Sequence, residues 1–366
     1  MIKVSRDTLL GPLQRVLSVI ERRHTLPILS NVLIEIDEQG SATLKATDLE
    51  VELHASLELE SDGPRRVTLP ARKLGDIVRA LPDGVEITIE FDSGHAVIRA
   101  GRSRFRLQTL GADEFPSIER TEVRTRLAVP QKVAKWLVDK AQFSMAHQDV
   151  RYYLNGMLLE VDGKHVRSVA TDGHRLAMAE HEIATDVDSV IQVIVPRKGI
   201  NEIGRMVSDV DDDVSIAIGQ GHVEFSVDGA RLISKLIDGR FPDYRRVVPQ
   251  GGDKLVSANR VGLREALARA SILSNEKYRG IGLELQSGAI RIFAHNPEQE
   301  EAEESIEVDY KGAGMAIGFN VGYFLEVLGA IDGETVEMVL SDPNSSCLVR
   351  EPGRSDYLYV VMPMRL

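Results

Sequence analysis

The sequence predicts an α+β protein in which one domain plan, with two helices and many short alternating strands, occurs three times in tandem. Three signals predict this organisation, and each recurs with nearly constant separation along the 366 residues. They are an Ala-Thr-Asp motif, a strand that runs into a helix, and a closing strand that ends at a proline. Chance similarity between α+β domains is the weaker explanation, because the three signals keep the same order and spacing.

Each signal can be aligned in three copies. The Ala-Thr-Asp motif occurs in LKATDLEVELHA (44–55) and RSVATDGHRLAMAE (167–180), with RIFAHNPEQEEAEE (291–304) as a degenerate third copy. The strand that runs into a helix occurs in VTLPARKLGDIVRAL (67–81), VIVPRKGINEIGRMV (193–207) and MAIGFNVGYFLEVLGAI (315–331). The closing strand occurs in FRLQTLGADEFPSI (105–118), RLISKLIDGRFPDY (231–244) and YLYVVMPMRL (357–366).

An amphipathic helix opens each repeat, because apolar residues recur at the three- and four-residue spacing of one helix face. These residues are Leu9, Leu10, Leu13, Val16, Leu17 and Ile20, then Val133, Trp136, Leu137 and Ala141, then Leu263, Ala266, Leu267, Ala270 and Ile272. The hydrophobic periodicity lapses near 120–126 and 248–256. We therefore predict three domains, at 1–122, 123–249 and 250–366.

Composition narrows the class of protein. A hydrophobic fraction of 43% with 27% charged residues is that of an ordinary globular protein. The first twenty residues have neither the apolar core of a signal peptide nor the length of a membrane span. The single cysteine, Cys347, excludes an internal disulfide framework and fits a reducing compartment. The sequence therefore predicts a cytoplasmic protein without a membrane partner.

Basic residues follow the predicted helices although the chain carries a formal charge of −12. On one helix they would be explained by solubility, but five equivalent helices carry them and the last helix (320–331) does not. A shared basic surface of this kind indicates contact with a polyanion. The residues are Arg15, Arg22, Arg23, Arg72, Lys73, Arg79, Lys132, Lys135, Lys140, Arg197, Lys198, Arg205, Arg260, Arg264 and Arg269.

An acidic run in the third repeat has a basic counterpart in the first. The glutamates of residues 298–304 lie in the third repeat only, and AVIRAGRSRFRLQ (96–108) carries Arg99, Arg102, Arg104 and Arg106. A negative edge and a positive edge on one chain indicate a head-to-tail interface, and such interfaces can close into rings. From the charges alone, two unrelated surface patches are an equal alternative.

Two other functions compete with this interpretation. Asp172 and His174 are close in sequence, and Asp–His pairs can orient a general base. However, no nucleophile, phosphate-binding or metal-ligand motif accompanies them, so a turn with a structural histidine is favoured. A sequence-specific DNA-binding regulator would need a helix or arm that reads base edges, and no such motif is recognisable.

Long stretches of the sequence resemble the bacterial DNA polymerase III β subunit family, the replicative sliding clamps. They are QFSMAHQDVRYYLNGM (142–157), VATDGHRLAM (169–178), DGRFPDYRRV (238–247), ILSNEKYRG (272–280), NPEQEEAEE (296–304) and VMPMRL (361–366). The resemblance implies three copies of the DNA-clamp domain per chain. It also implies a head-to-tail dimeric ring with helices lining the central hole and sheets outside, without catalysis and without a cofactor.

The resemblance also implies partners and contact residues. The expected partners are double-stranded DNA without sequence preference, a second copy of the chain, the replicative polymerase catalytic subunit, the clamp loader, and other polymerases and repair proteins that carry a short clamp-binding motif. The expected DNA contacts are Arg23, Arg72, Gln148, Tyr152, Tyr153 and Lys198. The expected dimer interface comprises Lys73, Arg102, Arg104, Phe105, Leu107, Ile272, Leu273, Glu298, Glu300, Glu301, Glu303 and Glu304.

A pocket for partner peptides is the third expectation, at the boundary of the second and third domains. Its lining carries over as Leu154, Thr171, Gly173, His174, Arg175, Leu176, Pro242, Arg246, Val247, Asn320, Tyr323, Ser346, Val360, Met362, Pro363, Met364 and Arg365. The sequence supports it independently, because Pro363 should end the last strand and expose Met362, Met364 and Leu366. A tail tucked into its own core is the ordinary alternative. His24 and Asn344 depart from the family pattern.

Overall fold

The computed structural model describes residues 1–21, 26–119, 121–183, 185, 187 and 189–365. They form two compact units, Met1–Lys135 with Lys198–Leu236, and Trp136–Arg197 with Ile237–Leu366. The predicted central domain, 123–249, therefore contributes residues to both units. The predicted limits of the three domains stay a prediction.

The described residues contain twenty-five strands and six α-helices, in the order expected of an α+β protein. The strands are β1 (Ile2–Ser5), β2 (Asn31–Ile36), β3 (Ala42–Thr47), β4 (Val51–Leu57), β5 (Glu60–Ser61), β6 (Arg65–Pro70), β7 (Glu86–Asp92), β8 (His95–Ala100), β9 (Ser103–Gln108), β10 (Val123–Pro130), β11 (Gly156–Val161), β12 (His165–Thr171), β13 (Arg175–Glu182), β14 (Ile191–Pro196), β15 (Asp213–Gly219), β16 (His222–Val227), β17 (Ala230–Lys235), β18 (Lys254–Asn259), β19 (Gly280–Gln286), β20 (Ala289–His295), β21 (Glu301–Glu307), β22 (Met315–Asn320), β23 (Thr335–Leu340), β24 (Cys347–Arg350) and β25 (Tyr357–Val361). The helices are α1 (Arg6–Leu17), α2 (Ala71–Ala80), α3 (Gln131–Ala141), α4 (Arg197–Met206), α5 (Arg260–Ala270) and α6 (Val321–Ala330).

Three of the helices, α1, α5 and α6, begin after a residue whose side chain caps them. Ser5 precedes α1, and its Oγ accepts a hydrogen bond from the backbone N–H of Thr8 at 3.0 Å. Asn259 and Asn320 cap α5 and α6 in the same way. Leu9, Leu13 and Val16 of α1 are buried, as the predicted helix face requires.

Each unit contains two antiparallel sheets. In the first unit the strand orders are β5-β1-β7-β8-β9 and β10-β15-β16-β17-β4-β3-β2-β6. In the second unit they are β14-β11-β12-β13-β25-β24-β23-β18 and β21-β20-β19-β22. Each eight-stranded sheet therefore joins four strands of one repeat to four strands of the next.

The threefold repetition is visible in the strand pairing before each second helix. Asn31 lies opposite Pro70, Gly156 opposite Pro196, and Gly280 opposite Asn320, and a helix starts at the next residue in each case. The same correspondence continues along the sheets and aligns Thr47, Thr171 and His295 at the ends of β3, β12 and β20. The predicted repeat is therefore a repeat of structure.

Candidate functional site

A cavity of about 190 Å³ lies in the second unit, where the turn between β12 and β13 meets the end of β25. We call it the first cavity. Nine residues of the predicted peptide pocket line it: Leu154, Thr171, Gly173, Arg175, Leu176, Pro242, Val247, Val360 and Met362. Its apolar walls and few polar groups are typical of a site for a side chain of a ligand.

The other predicted pocket residues lie outside the lining of the first cavity. His174 is exposed and stacks on Tyr323, with ring centroids 6.4 Å apart. Asn320 caps α6, and Arg246 is exposed and pairs with Asp243 at 3.0 Å. Ser346 and Pro363 are half-buried, and Met364 and Arg365 line a different cavity.

The end of the chain follows the sequence prediction in part. β25 ends at Val361, and Met362 is 36% exposed. Beyond Pro363, however, the backbone N–H of Met364 donates to the carbonyl oxygen of Gly318 at 2.9 Å, and Met364 is half-buried. Leu366 lies outside the described residues.

Arg151 and Tyr153 also line the first cavity, and the peptide-pocket prediction missed both. Arg151 donates to Asp149 at 2.8 and 3.0 Å and to the carbonyl oxygen of Asp172 at 3.1 Å. The hydrogen bond from Arg151 lowers the pKa of Asp149 to about 2. Gly173 signals this contact, since it has a φ of 87° and a Cβ there would lie 2.9 Å from the Arg151 guanidinium.

A second arginine, Arg175, contacts the carboxylate of Asp172 in the same turn. The Arg175 side chain is 8% exposed and donates to Asp172 at 3.2 Å and to the carbonyl oxygen of Phe143 at 2.6 Å. It also pairs with Glu326 and lies over the ring of Tyr323, 4.6 Å from its centroid. A buried guanidinium with this many partners holds the wall of the first cavity in place.

Asp172 and His174 form a turn, as the sequence favoured over a catalytic pair. Asp172 Oδ1 accepts from the backbone N–H groups of His174 and Arg175 at 2.9 and 3.0 Å. The first repeat builds the same turn, because Asp48 Oδ1 accepts from the N–H groups of Glu50 and Val51 at 3.0 and 2.7 Å. The Ala-Thr-Asp motif is therefore a structural signature of the repeat.

The predicted DNA contacts have different surroundings within their units. Arg72 is exposed on α2 and donates to the carbonyl oxygen of Ile20 at 2.8 Å. In the second unit, Gln148 is exposed with a φ of 55°, Tyr152 is 57% exposed, and Tyr153 points into the first cavity. Arg23 and the departure at His24 lie outside the described residues.

Lys198, in the first unit, is held by two carboxylates. Its Nζ donates to Glu21 at 2.8 Å and to Asp48, whose side chain is 5% exposed. Burial acts to lower the pKa of Lys198, but the bonds to Asp48 and Glu21 outweigh it and raise that pKa. Lys198 is therefore charged and fixed in position, and it also ties α4 to the turn after β3.

Most of the predicted interface residues lie on or just before two edge strands, β9 and β21. Lys73 lies on α2, and Ile272 and Leu273 lie in the turn after α5. β9 is the outer strand of its sheet and β21 of another, and neither pairs on its outer side with any strand in the described part of the chain. Arg102 and Arg104 are exposed, Phe105 is half-buried, and Leu107 is 8% exposed. Unpaired strand edges are templates for pairing with another chain.

The acidic residues of this set are exposed or half-buried, and Glu303 and Glu304 form ion pairs within the unit. Glu303 pairs with Arg291 at 2.7 Å and Glu304 with Arg269 at 2.7 Å. Ile272 is 76% exposed in the 3₁₀ turn Ser271–Leu273, beside a half-buried Leu273. The remaining predicted members, all exposed, are Lys73, Glu298, Glu300 and Glu301.

Comparison with known proteins decides the family. Three family models match in tandem: the N-terminal domain of the DNA polymerase III beta subunit over residues 1–119, its central domain over 128–243 and its C-terminal domain over 245–365. The chain belongs to the DNA polymerase III beta subunit family. A beta sliding clamp of Pseudomonas aeruginosa is 52% identical over 364 residues, which is 99% of both chains.

Solved structures of clamps agree with this assignment. The crystal structure of the DNA polymerase III subunit beta from Pseudomonas aeruginosa matches with a TM-score of 0.97 at 52% identity and covers 100% of both chains. A structure of the clamp from the same organism, bound to griselimycin, matches with a TM-score of 0.95 at 52% identity, over 100% of this chain and 99% of that one.

Membership in the family confirms the α+β class with three tandem clamp domains. The chain is a DNA sliding clamp and a non-catalytic accessory subunit of the polymerase. The alternative of a sequence-specific regulator finds no support in these comparisons. Among the described residues, no helix has the length and apolar character needed to cross a membrane.

Proposed function

We propose that two copies of the chain join head-to-tail into a closed ring around duplex DNA. The observation that carries the proposal is a junction used twice within the chain: β17 pairs with β4, and β25 pairs with β13. In the repeat alignment β9 is the counterpart of β17 and β25, and β21 is the counterpart of β4 and β13. β9 and β21, two of the outer strands of the sheets in the described chain, are thus the two halves of a third such junction.

The register of the two internal junctions supports this pairing. Leu53 lies opposite Leu232, and Ala177 lies opposite Tyr359, which are equivalent positions in the repeat. The same register places Phe105 of one copy opposite Ala302 of the other. It then places Arg104 opposite Glu303 and Arg106 opposite Glu301, and all four residues are exposed on one face of their strands.

An apolar contact beside the second internal junction supports the proposal independently. Phe143, in the 3₁₀ turn Gln142–Ser144, lies 5.7 Å from Tyr359 of β25 between ring centroids. Ile272 occupies the equivalent turn after α5, and Phe105 is the equivalent of Tyr359 in β9. Ile272, 76% exposed in one chain, would therefore be covered by Phe105 of the second copy, with Leu273 and Leu107 beside them.

Arg72 on α2 and Lys198 on α4 supply the electrostatic part of the contact with DNA. A protein with net charge −12 does not hold DNA by overall attraction, so retention comes from closure of the ring. Arg72, Gln148, Tyr152 and Lys198 are proposed to contact the phosphate backbone without reading bases, which permits sliding. Arg23 and Tyr153 complete the proposed DNA-contact set, although Tyr153 also lines the first cavity.

The first cavity is proposed to receive short motifs of partner proteins. These partners are the replicative polymerase catalytic subunit, the clamp loader, and other polymerases and repair proteins. The apolar lining and the two fixed arginines, Arg151 and Arg175, favour a peptide with apolar and acidic side chains. The clamp structure with griselimycin bound supports a ligand site in this family. We place the protein in the cytoplasm, and the proposed function requires no cofactor.

Topology is the test of the ring. The clamp is loaded by its clamp loader on a nicked circular plasmid, the complex is separated from unbound protein by gel filtration, and the plasmid is then cut once. The proposal expects the clamp to stay on the circle and to leave the linear product. Equal retention on circular and linear DNA would show that affinity for DNA, and not closure, holds the protein.

A further inference from the structure

A fully buried carboxylate, Glu160 of β11, contacts the segment that carries part of the first cavity. The Glu160 side chain is 0% exposed. Pro242 and Val247 of the first cavity lie between β17 and β18, in residues 237–248, which we call the connector. The predicted peptide pocket did not include Glu160.

Four side chains donate hydrogen bonds to this carboxylate, and two of them belong to the connector. Tyr244 and Arg245 donate to Glu160 Oε1 at 3.0 and 2.6 Å. Arg167 of β12 donates to the same oxygen at 2.9 Å, and Gln192 of β14 donates to Oε2 at 2.6 Å. A buried carboxylate needs such partners, so Glu160 ties the connector to the sheet.

The hydrogen bond between Glu160 and Tyr244 joins a charged acceptor to a neutral donor. Burial acts to raise the pKa of Glu160, but the hydrogen bonds from Gln192, Tyr244, Arg167 and Arg245 outweigh it and lower that pKa. Burial and the Glu160 carboxylate both raise the pKa of Tyr244. At neutral pH the hydroxyl therefore keeps its proton and donates it to an ionised carboxylate, which makes a strong hydrogen bond.

The fold of the connector is centred on Tyr244. This residue is 2% exposed and packs in one apolar cluster with Leu158 and Phe241. The backbone N–H groups of Val247 and Val248 donate to its carbonyl oxygen at 3.0 and 3.4 Å. The turn that leads from Pro242 to Val247 is therefore fixed at the point where Tyr244 meets Glu160.

The equivalent glutamates of the other two repeats are less buried. Glu35 and Glu284 lie four residues after Asn31 and Gly280, as Glu160 lies four residues after Gly156. Their side chains are 30% and 37% exposed. Glu35 pairs with Arg66 and Glu284 with Arg291, both at 2.9 Å. The glutamate thus recurs, but full burial among the three equivalents is found at Glu160.

The first repeat shows what replaces the connector contact. Ile118 is the equivalent of Tyr244 in the alignment of the closing strands, and it has no hydroxyl group. Its backbone N–H donates instead to Oε2 of Glu52 at 2.8 Å. The contact between the recurring glutamate and a tyrosine is therefore a feature of the repeat whose connector lines the first cavity.

We propose that Glu160 is a positioning residue for peptide binding. Through Tyr244 and Arg245 it holds the connector, so that Pro242 and Val247 are in place before the peptide arrives. A preformed site avoids the entropy cost of ordering its lining on binding, so loss of this contact should weaken binding although Glu160 does not touch the peptide. The inference rests on the proposed peptide site in the first cavity.

The test measures affinity and local order on the same full-length proteins. The probe is a fluorescein-labelled Gly-Leu-Asp-Leu peptide, and fluorescence anisotropy gives its affinity. Glu160→Gln and Tyr244→Phe should each weaken binding about fivefold, because each removes or neutralises one hydrogen-bond partner and keeps the side-chain size. Hydrogen exchange should become faster at the amides of Val247 and Val248, and saturating peptide should slow it again.

Two further variants separate positioning from a general loss of stability. Glu284→Gln changes the equivalent glutamate of the third repeat, which also pairs with an arginine, and it should leave peptide affinity unchanged. The double variant Glu160→Gln with Tyr244→Phe should bind about as well as either single variant, since both changes break the same contact.

The outcomes distinguish failure of the peptide site from failure of the inference. If the unmodified protein does not bind the peptide, the proposed site fails and this inference fails with it. If the unmodified protein binds, but Glu160→Gln and Tyr244→Phe bind as tightly as Glu284→Gln, the site stands and the role of Glu160 is overturned. Equal weakening in Glu284→Gln, or weaker binding without faster exchange in the connector, would also overturn it.

Discussion

The ring of Phe143 lies 5.7 Å from the ring of Tyr359, inclined at 46°, in the second unit of the structure. This contact joins the turn after α3 to β25, the strand through which the third repeat pairs with the second. The equivalent pair, Ile272 and Phe105, lies on different repeats that do not share a sheet. That equivalence leads to the first prediction.

Replacing Ile272 and Leu273 by alanine should convert the dimer into a folded monomer. Truncation of large apolar side chains that are well buried costs about 2–5 kcal/mol each, and Ile272, 76% exposed in the single chain, would be buried in the proposed dimer. Sedimentation at nanomolar concentration should show the monomer. Val261→Ala, an exposed position on α5, is the control and should stay dimeric. A stable dimer in the double variant would place the interface elsewhere.

Reversing Arg104 and Arg106 to glutamate should weaken the dimer most at low salt. The junction register puts them opposite Glu303 and Glu301, so the variant creates like-charge pairs across the strands. Screening falls as the Debye length grows from about 8 Å at 0.15 M salt to about 30 Å at 0.01 M. Dimer dissociation constants measured at both salt concentrations check this. A variant carrying Glu301→Arg and Glu303→Arg should form mixed dimers with it, and failure to rescue would reject the register.

Deleting Met362–Leu366 should abolish binding of an apolar-acidic peptide at the first cavity and leave the dimer intact. Met362 forms part of the cavity wall, and its N–H donates to the carbonyl oxygen of His174 at 2.8 Å. Anisotropy and light scattering on one sample measure both properties. Unchanged peptide affinity in the shortened protein would remove the ligand from this surface.

The carboxyl of Asp149 should titrate near pH 2, well below the usual value of 3.8. Arg151 hydrogen-bonds the ionised form of the carboxyl and lowers its pKa. The folded protein therefore binds this proton only at a lower pH than the unfolded chain does. The stabilising contribution of the pair is complete above about pH 4, the unfolded value, and is lost as pH falls through about 2. Carbon-13 NMR of the carboxyl measures the midpoint. In Arg151→Ala it should move back toward 3.8; an unshifted midpoint would mean that another group holds the carboxylate.

Much of the fold was predictable because its signals are local. Helix faces, caps and the Asp48 and Asp172 turns depend on residues within four positions of each other. The pairing of β17 with β4 was not predictable, since backbone hydrogen bonds between distant strands leave no pattern in either strand. For the same reason, the sequence did not indicate that the central repeat is divided between the two units.

Residues of the candidate site were predictable where they belong to a contiguous sequence motif. Leu176 and Met362 follow from matching motifs, and the structure places both in the first cavity. Arg151 was not predicted because its guanidinium occupies the space that a side chain at Gly173 would fill, and Gly173 is distant in sequence. Tyr278, His295 and Pro297 line a neighbouring cavity together with the predicted Met364 and Arg365. These three residues were not predicted because they belong to the most altered copy of the repeat, where His295 and Pro297 replace threonine and glycine.

A disulfide across the proposed junction tests the central claim most directly. The register places Ser103 of one copy opposite Glu304 of the other, with Cα atoms about 4.5–5.5 Å apart, within the range a disulfide can bridge. Ile306 lies on the same face at the diagonal position, about 7–8 Å away, so Ser103→Cys with Ile306→Cys is the matched control.

The native Cys347 is buried, and burial raises the pKa of its thiol, so it should not compete. Mild oxidation of Ser103→Cys with Glu304→Cys should give a covalent dimer of about twice 40.4 kDa on a non-reducing gel, and the control should stay monomeric there. Equal or preferred cross-linking of the control, or none in either variant, would contradict the ring.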